Sequence, residues 1–333
     1  MMNILFLNIM IVGTFISISA YSWINIWIGL EMNLMAFITL INSDNMKQSS
    51  EVAIKYFLVQ VSASMLILFA FLNSYILLGN VYDLTPLSKF IFNSAILLKM
   101  GAAPFHMWYP SVAMGLSWIN LLIMMTWQKI APMILIMYNF EMNSFFCTII
   151  LLSITISGLK IWNQTSMKKI LALSSINHMG WMMAMMFLNQ SLWAFYFTIY
   201  IFITTNLVLV LNKYNINTLE ELFMLYNSSK TTKFFFFLNL FSLGGVPPFI
   251  GFFPKWMVLK ILLENELYFL AFLIVLLTML SLYIYIRMTL QPLSFKNSDK
   301  KNIFKNSEFK FIFFMNWFNI TGIIIFTIIF NNC

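Results

Sequence analysis

Charged residues occupy only 9% of the 333 positions, against about a quarter in a soluble globular domain. With 61% hydrophobic residues and a mean hydropathy of +0.85, the composition excludes an aqueous fold. Cysteine is nearly absent. Cys147 and Cys333 lie far apart, and with only His106 and His178 beside them they furnish no iron–sulfur or structural zinc site. No Gly-x-Gly-x-x-Gly element is present, so a dinucleotide-binding domain is not expected. Glycine and proline are sparse, at 11 and 8 residues, so the places where they cluster carry information.

Arginine occurs once, at Arg287, and no lysine precedes Lys47. An imported mitochondrial protein is expected to begin with an Arg-rich amphipathic leader. Phe, Ile, Asn, Lys, Tyr and Met are abundant, as an A/T-rich genome would produce. The expectation is a product encoded inside an organelle, with an A/T-rich bacterium as the alternative. The net charge of +8 does not point to nucleic acid, because the lysines lie in short loops between apolar runs, the pattern of membrane orientation.

At about twenty residues per span, hydropathy predicts eleven segments near 3–20, 22–41, 54–78, 90–109, 113–138, 144–162, 169–188, 191–212, 234–262, 267–288 and 311–330. Only Tyr21 and Ser22 divide the first two. The ninth is too long for a simple span and contains Gly244-Gly-Val-Pro-Pro248, which predicts two half-helices. Loop charges fit this count. The N-terminal side holds Lys47, Lys160, Lys168, Lys169, Lys213, Lys230, Lys233, Lys296, Lys300, Lys301, Lys305 and Lys310. The opposite side holds only Lys89, with Asp83, Glu141, Glu264 and Glu266. In a mitochondrial inner membrane the positive side is the matrix, which places the N-terminus there and the C-terminus toward the intermembrane space.

Lysine and helix breakers coincide twice, at Lys99 with Gly101 and Pro104, and at Gly244, Gly245, Pro247 and Pro248 with Lys255. These are segments four and nine, the fourth members of two sets of five. An odd repeat length inverts the second set, and interrupted helices at matching positions of inverted repeats point to a transport site. The fold expected is an all-α polytopic membrane protein with about 11 transmembrane helices. Two inverted five-helix repeats, 1–140 and 141–290, have broken helices 4 and 9, and a loop and C-terminal helix fill 291–333. A lysine at mid-membrane costs roughly 2.5–3.5 kcal/mol on insertion scales. Lys99, Lys129, Lys255 and Glu31, each in an apolar run, are therefore candidates for ion or proton movement.

The strings Trp-Ile-Gly-Leu-Glu-Met-Asn (27–33), Ala-Ile-Lys-Tyr-Phe-Leu (53–58) and Leu-Lys-Met-Gly-Ala-Ala-Pro-Phe-His-Met-Trp (98–108) carry a family resemblance. So do Trp-Gln-Lys-Ile-Ala-Pro (127–132), Ser-Ser-Ile-Asn-His-Met-Gly-Trp-Met (174–182) and Ser-Leu-Gly-Gly-Val-Pro-Pro-Phe-Ile-Gly-Phe-Phe-Pro-Lys-Trp (242–256). In this order they resemble the NADH dehydrogenase subunit 2 family of animal mitochondria, antiporter-like membrane subunits of respiratory complex I. One departure is Ser111 after Trp-Tyr-Pro, where relatives often carry an acidic residue.

The resemblance implies a proton-translocating core subunit of NADH:ubiquinone oxidoreductase. Partners would be the other membrane-arm subunits and inner-membrane lipids such as cardiolipin. NADH, FMN, iron–sulfur clusters and ubiquinone would be held by those partners, with no cofactor or metal on this chain. It further implies that Glu31 modulates Lys99, that Lys129 and His178 extend a relay, and that Lys255 ends it. Burial disfavours an ammonium and a nearby carboxylate restores it, so varying the distance or hydration of such a pair loads and unloads a proton. His106 lies toward the rim and would order the loop. Rival readings are snorkelling lysines, a capping or partner-binding Glu31, a satisfied core His178 and a functionless kink at Gly-Gly-Val-Pro-Pro. Lys260 reads as a structural or interface charge. At the level of the whole chain the rivals are a cation/proton antiporter subunit and a non-pumping scaffold.

Overall fold

A computed structural model of the chain describes residues 2–43, 49–79, 84–139, 144–186, 190–222 and 230–294. These are helical almost throughout, as the membrane demands: lipid offers no hydrogen bonds, so backbone groups must be satisfied within the helix. Among the described residues no strand forms, apart from an isolated bridge between Ser166 and Thr218. Segment 311–330, Asp83, Glu141, Cys333 and the loop lysines Lys47, Lys296, Lys300, Lys301, Lys305 and Lys310 lie outside the described residues. The chain divides into two compact units, Met1–Met142 and Asn143–Cys333. Among the described residues, six stretches have the length and apolarity to cross a membrane: Trp23–Asn42, Ser49–Leu77, Trp118–Tyr138, Ser144–Ile161, Gln190–Lys213 and Tyr268–Leu290.

The first unit contains α1 (Met2–Ser19), α2 (Trp23–Asn42), α3 (Ser49–Leu78), α4 (Pro86–Met100), α5 (Trp108–Gly115), α6 (Trp118–Met125) and α7 (Trp127–Tyr138). The narrow division after α1 is made by Ser22, whose hydroxyl accepts the Asn25 N–H at 3.4 Å as an N-cap. α1 and α2 then approach closely through glycine. A Cβ on Gly13 would stand 2.9 Å from the Gly29 carbonyl oxygen, and one on Gly29 would stand 2.6 Å from the Ser17 nitrogen. Thr85 caps α4, with Pro86 at its first position, where a missing N–H costs nothing.

One expected break is present and one expected span resolves differently. The run at 90–109 is broken after Met100, between α4 and α5, and Lys99 stands in the last turn of α4. The physical reason is Gly101, which adopts φ 72° and ψ 31° and closes α4 as a left-handed cap. The run expected at 113–138 is interrupted at Thr126, between α6 and α7, with φ −113° and ψ −74°. Pro132 inside α7 has no N–H to give the Gln128 carbonyl, which loosens the ladder one turn later.

The second unit contains α8 (Ser144–Ile161), α9 (Met167–Met186), α10 (Gln190–Lys213), α11 (Lys230–Gly244), α12 (Phe252–Glu264) and α13 (Tyr268–Ser294). The long ninth run is two helices, α11 and α12, separated by a turn at 245–251. α9 sits at the centre. Every residue from Met167 to Met186 except Lys169 is buried, and the helix packs on α8, α10, α12 and α13. A helix covered all round shows no amphipathic stripe. Polar pairs fix its register: the Asn177 amide donates to the Ser281 hydroxyl of α13 at 2.8 Å.

Candidate proton-transfer site

In the first unit three of the carbonyls that end α4, those of Leu97, Leu98 and Lys99, are engaged. Gly101 N–H bonds Leu98 at 3.1 Å and Ala102 N–H bonds Leu97 at 3.0 Å. The Trp108 indole N–H also bonds Leu98 at 3.1 Å, and the Gln60 amide of α3 bonds Lys99 at 3.1 Å. A buried helix end is tolerable only with such partners. His106 ties the following turn together: its Nδ1 lies 3.1 Å from the Pro104 carbonyl, and its own carbonyl accepts the Tyr109 N–H at 3.0 Å.

This arrangement buries the Lys99 side chain, 7% exposed, in the same cavity as Lys129, 1% exposed. Tyr56, Gln60, Tyr109 and Gln128 share the lining. The cavity has a volume of about 20 Å³, above the roughly 10–15 Å³ that one water needs. Lys129 projects from the first turn of α7, just past the Thr126 interruption, and its ammonium lies 5.5 Å from the centre of the Tyr109 ring. The Gln128 amide donates to Asn33 Oδ1 at 2.9 Å and contacts Met10 Sδ at 3.2 Å.

Glu31 is half-buried on α2, with one carboxylate oxygen buried and without a hydrogen-bond partner. It interacts electrostatically with Lys99 and Tyr56. Glu31 and Lys99 do not close into an ion pair, so the carboxylate acts through space. A bare carboxylate oxygen in a low-dielectric site is costly unless charge or water compensates it.

In the second unit Lys255 occupies the first turn of α12 and is 8% exposed. Its ammonium donates to the Gly244 carbonyl at 2.8 Å and the Leu243 carbonyl at 3.3 Å, the last of α11. A cation at a helix C-terminus satisfies orphan acceptors and meets the negative end of the dipole. Gly245, at φ 77°, opens the space: a Cβ there would lie 2.7 Å from Lys255 Cδ. The ammonium also lies 5.7 Å from the Trp181 ring centre. One turn earlier on α9, His178 is 6% exposed, with Nδ1 3.0 Å from the Tyr196 hydroxyl and its ring against Tyr200.

Each candidate residue thus has a place. Lys99 and Lys129 share one cavity, with Glu31 acting on Lys99 from outside its lining. Lys255 lies over Trp181 of α9, one turn after His178. Lys260 is exposed, 3.9 Å from Glu264. Sequence reading missed Tyr109 beneath Lys129, Trp181 beneath Lys255, the Gln60 clamp and the Asn33–Gln128 pair. Glutamine and asparagine inside apolar helices were the available signal for the last two. Among the described residues, no group of three or more His, Cys, Asp or Glu side chains is placed to hold a metal ion.

The comparisons with known proteins give one family by sequence and a shared fold by structure. Residues 20–281 match the family model described as NADH:quinone oxidoreductase/Mrp antiporter, TM. The chain is 43% identical over 335 residues to NADH-ubiquinone oxidoreductase chain 2 of Anopheles gambiae, spanning 98% of each. It is 38% identical over 288 residues to the protein of that name in Locusta migratoria, spanning 86% of this chain and 84% of the relative. Its fold is similar to a chain of respiratory complex I from Thermus thermophilus, with a TM-score of 0.83 at 22% identity, over 96% of this chain and 77% of that one. A chain of the Mrp complex from Dietzia sp. is similar at a TM-score of 0.74 and 15% identity, over 84% and 58% respectively.

Proposed function

The chain belongs to the NADH-ubiquinone oxidoreductase chain 2 family, and on that premise we propose that it is an antiporter-like, proton-translocating subunit in the membrane arm of NADH:ubiquinone oxidoreductase. Its place is the mitochondrial inner membrane, beside other membrane-arm subunits and lipids such as cardiolipin. It is part of an enzyme only within that complex. NADH, FMN, iron–sulfur clusters and ubiquinone belong to partner subunits, where electrons move, and this chain's share of the work is the proton.

The observation that carries the reading is that Lys99, Lys129 and Lys255 are all buried, and each stands beside a helix interruption. An ammonium in such a place is held by neighbours and released when they change. Glu31 supplies a negative field that favours a proton on Lys99. Drawing that field away frees the proton into the cavity shared with Lys129. His178 continues the route and Lys255 terminates it. Two inverted five-helix repeats, an eleventh span at 311–330 and an N-terminus in the matrix complete the proposal.

The test is proton pumping per NADH oxidised in membranes carrying Lys255→Met in an assembled complex. The expected result is lower pumping or stalled oxidation. Normal pumping at normal oxidation would leave the chain as a scaffold.

A further inference from the structure

The second unit contains a hydroxyl that is aimed at the buried imidazole and has no part in the route described above. Tyr196 projects from α10, is 1% exposed, and holds its oxygen 3.0 Å from His178 Nδ1. The two rings meet edge to face, with centroids 6.1 Å apart. Tyr285, from α13, is 2% exposed and interacts electrostatically with Tyr196. Ser174, one turn before His178 on α9, interacts electrostatically with Tyr285 as well. The Tyr285 ring also lies against Gly244, where an added Cβ would meet its Cδ2 at 3.4 Å. Gly244 is the residue whose carbonyl holds the Lys255 ammonium. Tyr285 is therefore a neighbour both of Tyr196 and of the end of α11.

A buried phenol is expensive in an apolar core unless its hydroxyl is used. Phenylalanine would fill the same volume, and this chain has 36 of them. We propose that the Tyr196 hydroxyl is a proton-transfer group between His178 and the Lys255 break, with Tyr285 as its neighbour on the Lys255 side. The step is a paired transfer. The Tyr196 O–H proton passes to an unprotonated Nδ1 while the same oxygen takes a proton from a hydronium ion on the Tyr285 side, whose O–H bond breaks to leave water. The phenol is neutral before and after, one O–H bond forms as one breaks, and no electron moves. The reverse sequence returns the proton. This role rests on the proton-translocating function proposed above.

The experiment compares Tyr196→Phe with Lys255→Met in the assembled complex, measuring protons pumped per NADH oxidised. Tyr196→Phe keeps the ring and its edge contact and removes only the hydroxyl. Loss of pumping in both variants is the expected result. Loss in Lys255→Met with full pumping in Tyr196→Phe overturns the role of the hydroxyl and leaves the proposed function standing. Full pumping in both overturns the two together. If Tyr196→Phe fails to assemble, Tyr285→Phe decides: reduced pumping supports the route, and unchanged pumping overturns it.

Discussion

The ammonium of Lys255 reaches back across the break between α11 and α12 and bonds the Gly244 carbonyl at 2.8 Å. The charge that opens one half-helix thereby closes the end of the other. In the proposed function the structural cap and the proton carrier are the same group, so moving the proton would change what holds the break together.

Gly245→Ala tests the room this contact needs. A left-handed backbone costs a β-carbon-bearing residue about 1–2 kcal/mol, and the new Cβ would stand 2.9 Å from the Lys255 ammonium nitrogen. The expected outcome is a complex with a lower melting temperature and reduced pumping, read by thermal inactivation and by vesicle acidification.

Gln60→Leu tests the clamp on α4. It removes the amide that serves the Lys99 carbonyl. Leaving a buried acceptor unsatisfied costs about 1–3 kcal/mol. The complex should inactivate at a lower temperature than the parent. Equal thermal stability would mean that the carbonyl finds another donor.

The ring beneath Lys129 can be tested by a pair of variants. Tyr109→Leu removes the aromatic face that lies 5.5 Å from the ammonium, and Tyr109→Phe keeps it. Such contacts contribute about 0.5–2 kcal/mol. Pumping per NADH should fall in Tyr109→Leu and stay closer to the parent in Tyr109→Phe. Equal values in the two would remove the ring from the account.

Gln128→Leu breaks the contacts to Asn33 and Met10 and leaves the Asn33 carbonyl without that donor. Because Gln128 also lines the cavity of Lys99 and Lys129, the variant should slow pumping as well as lower stability. A stability change alone would confine the pair to packing.

Much of this site could be read from residue types. An ionisable side chain in an apolar run is costly, so the burial of Lys99, Lys129 and Lys255 followed from where they stand. Gly101 and Gly245 marked the helix ends because only a residue without Cβ takes their φ at little cost. The interruption at Thr126 was not legible, since neither glycine nor proline stands there. The partners were hidden for another reason. Tyr109 against Lys129, Trp181 against Lys255 and Tyr196 against His178 are meetings between different helices, and helical periodicity along one segment says nothing about what faces it from another.

The most direct test of the central claim is proton pumping per NADH oxidised in membranes carrying Lys99→Met, with assembly of the complex verified in the same preparation. Methionine keeps the bulk and removes the charge. Reduced pumping, or oxidation stalled with it, in an intact complex is the predicted result. Unchanged oxidation with unchanged proton stoichiometry would contradict it and make Lys99 a structural residue.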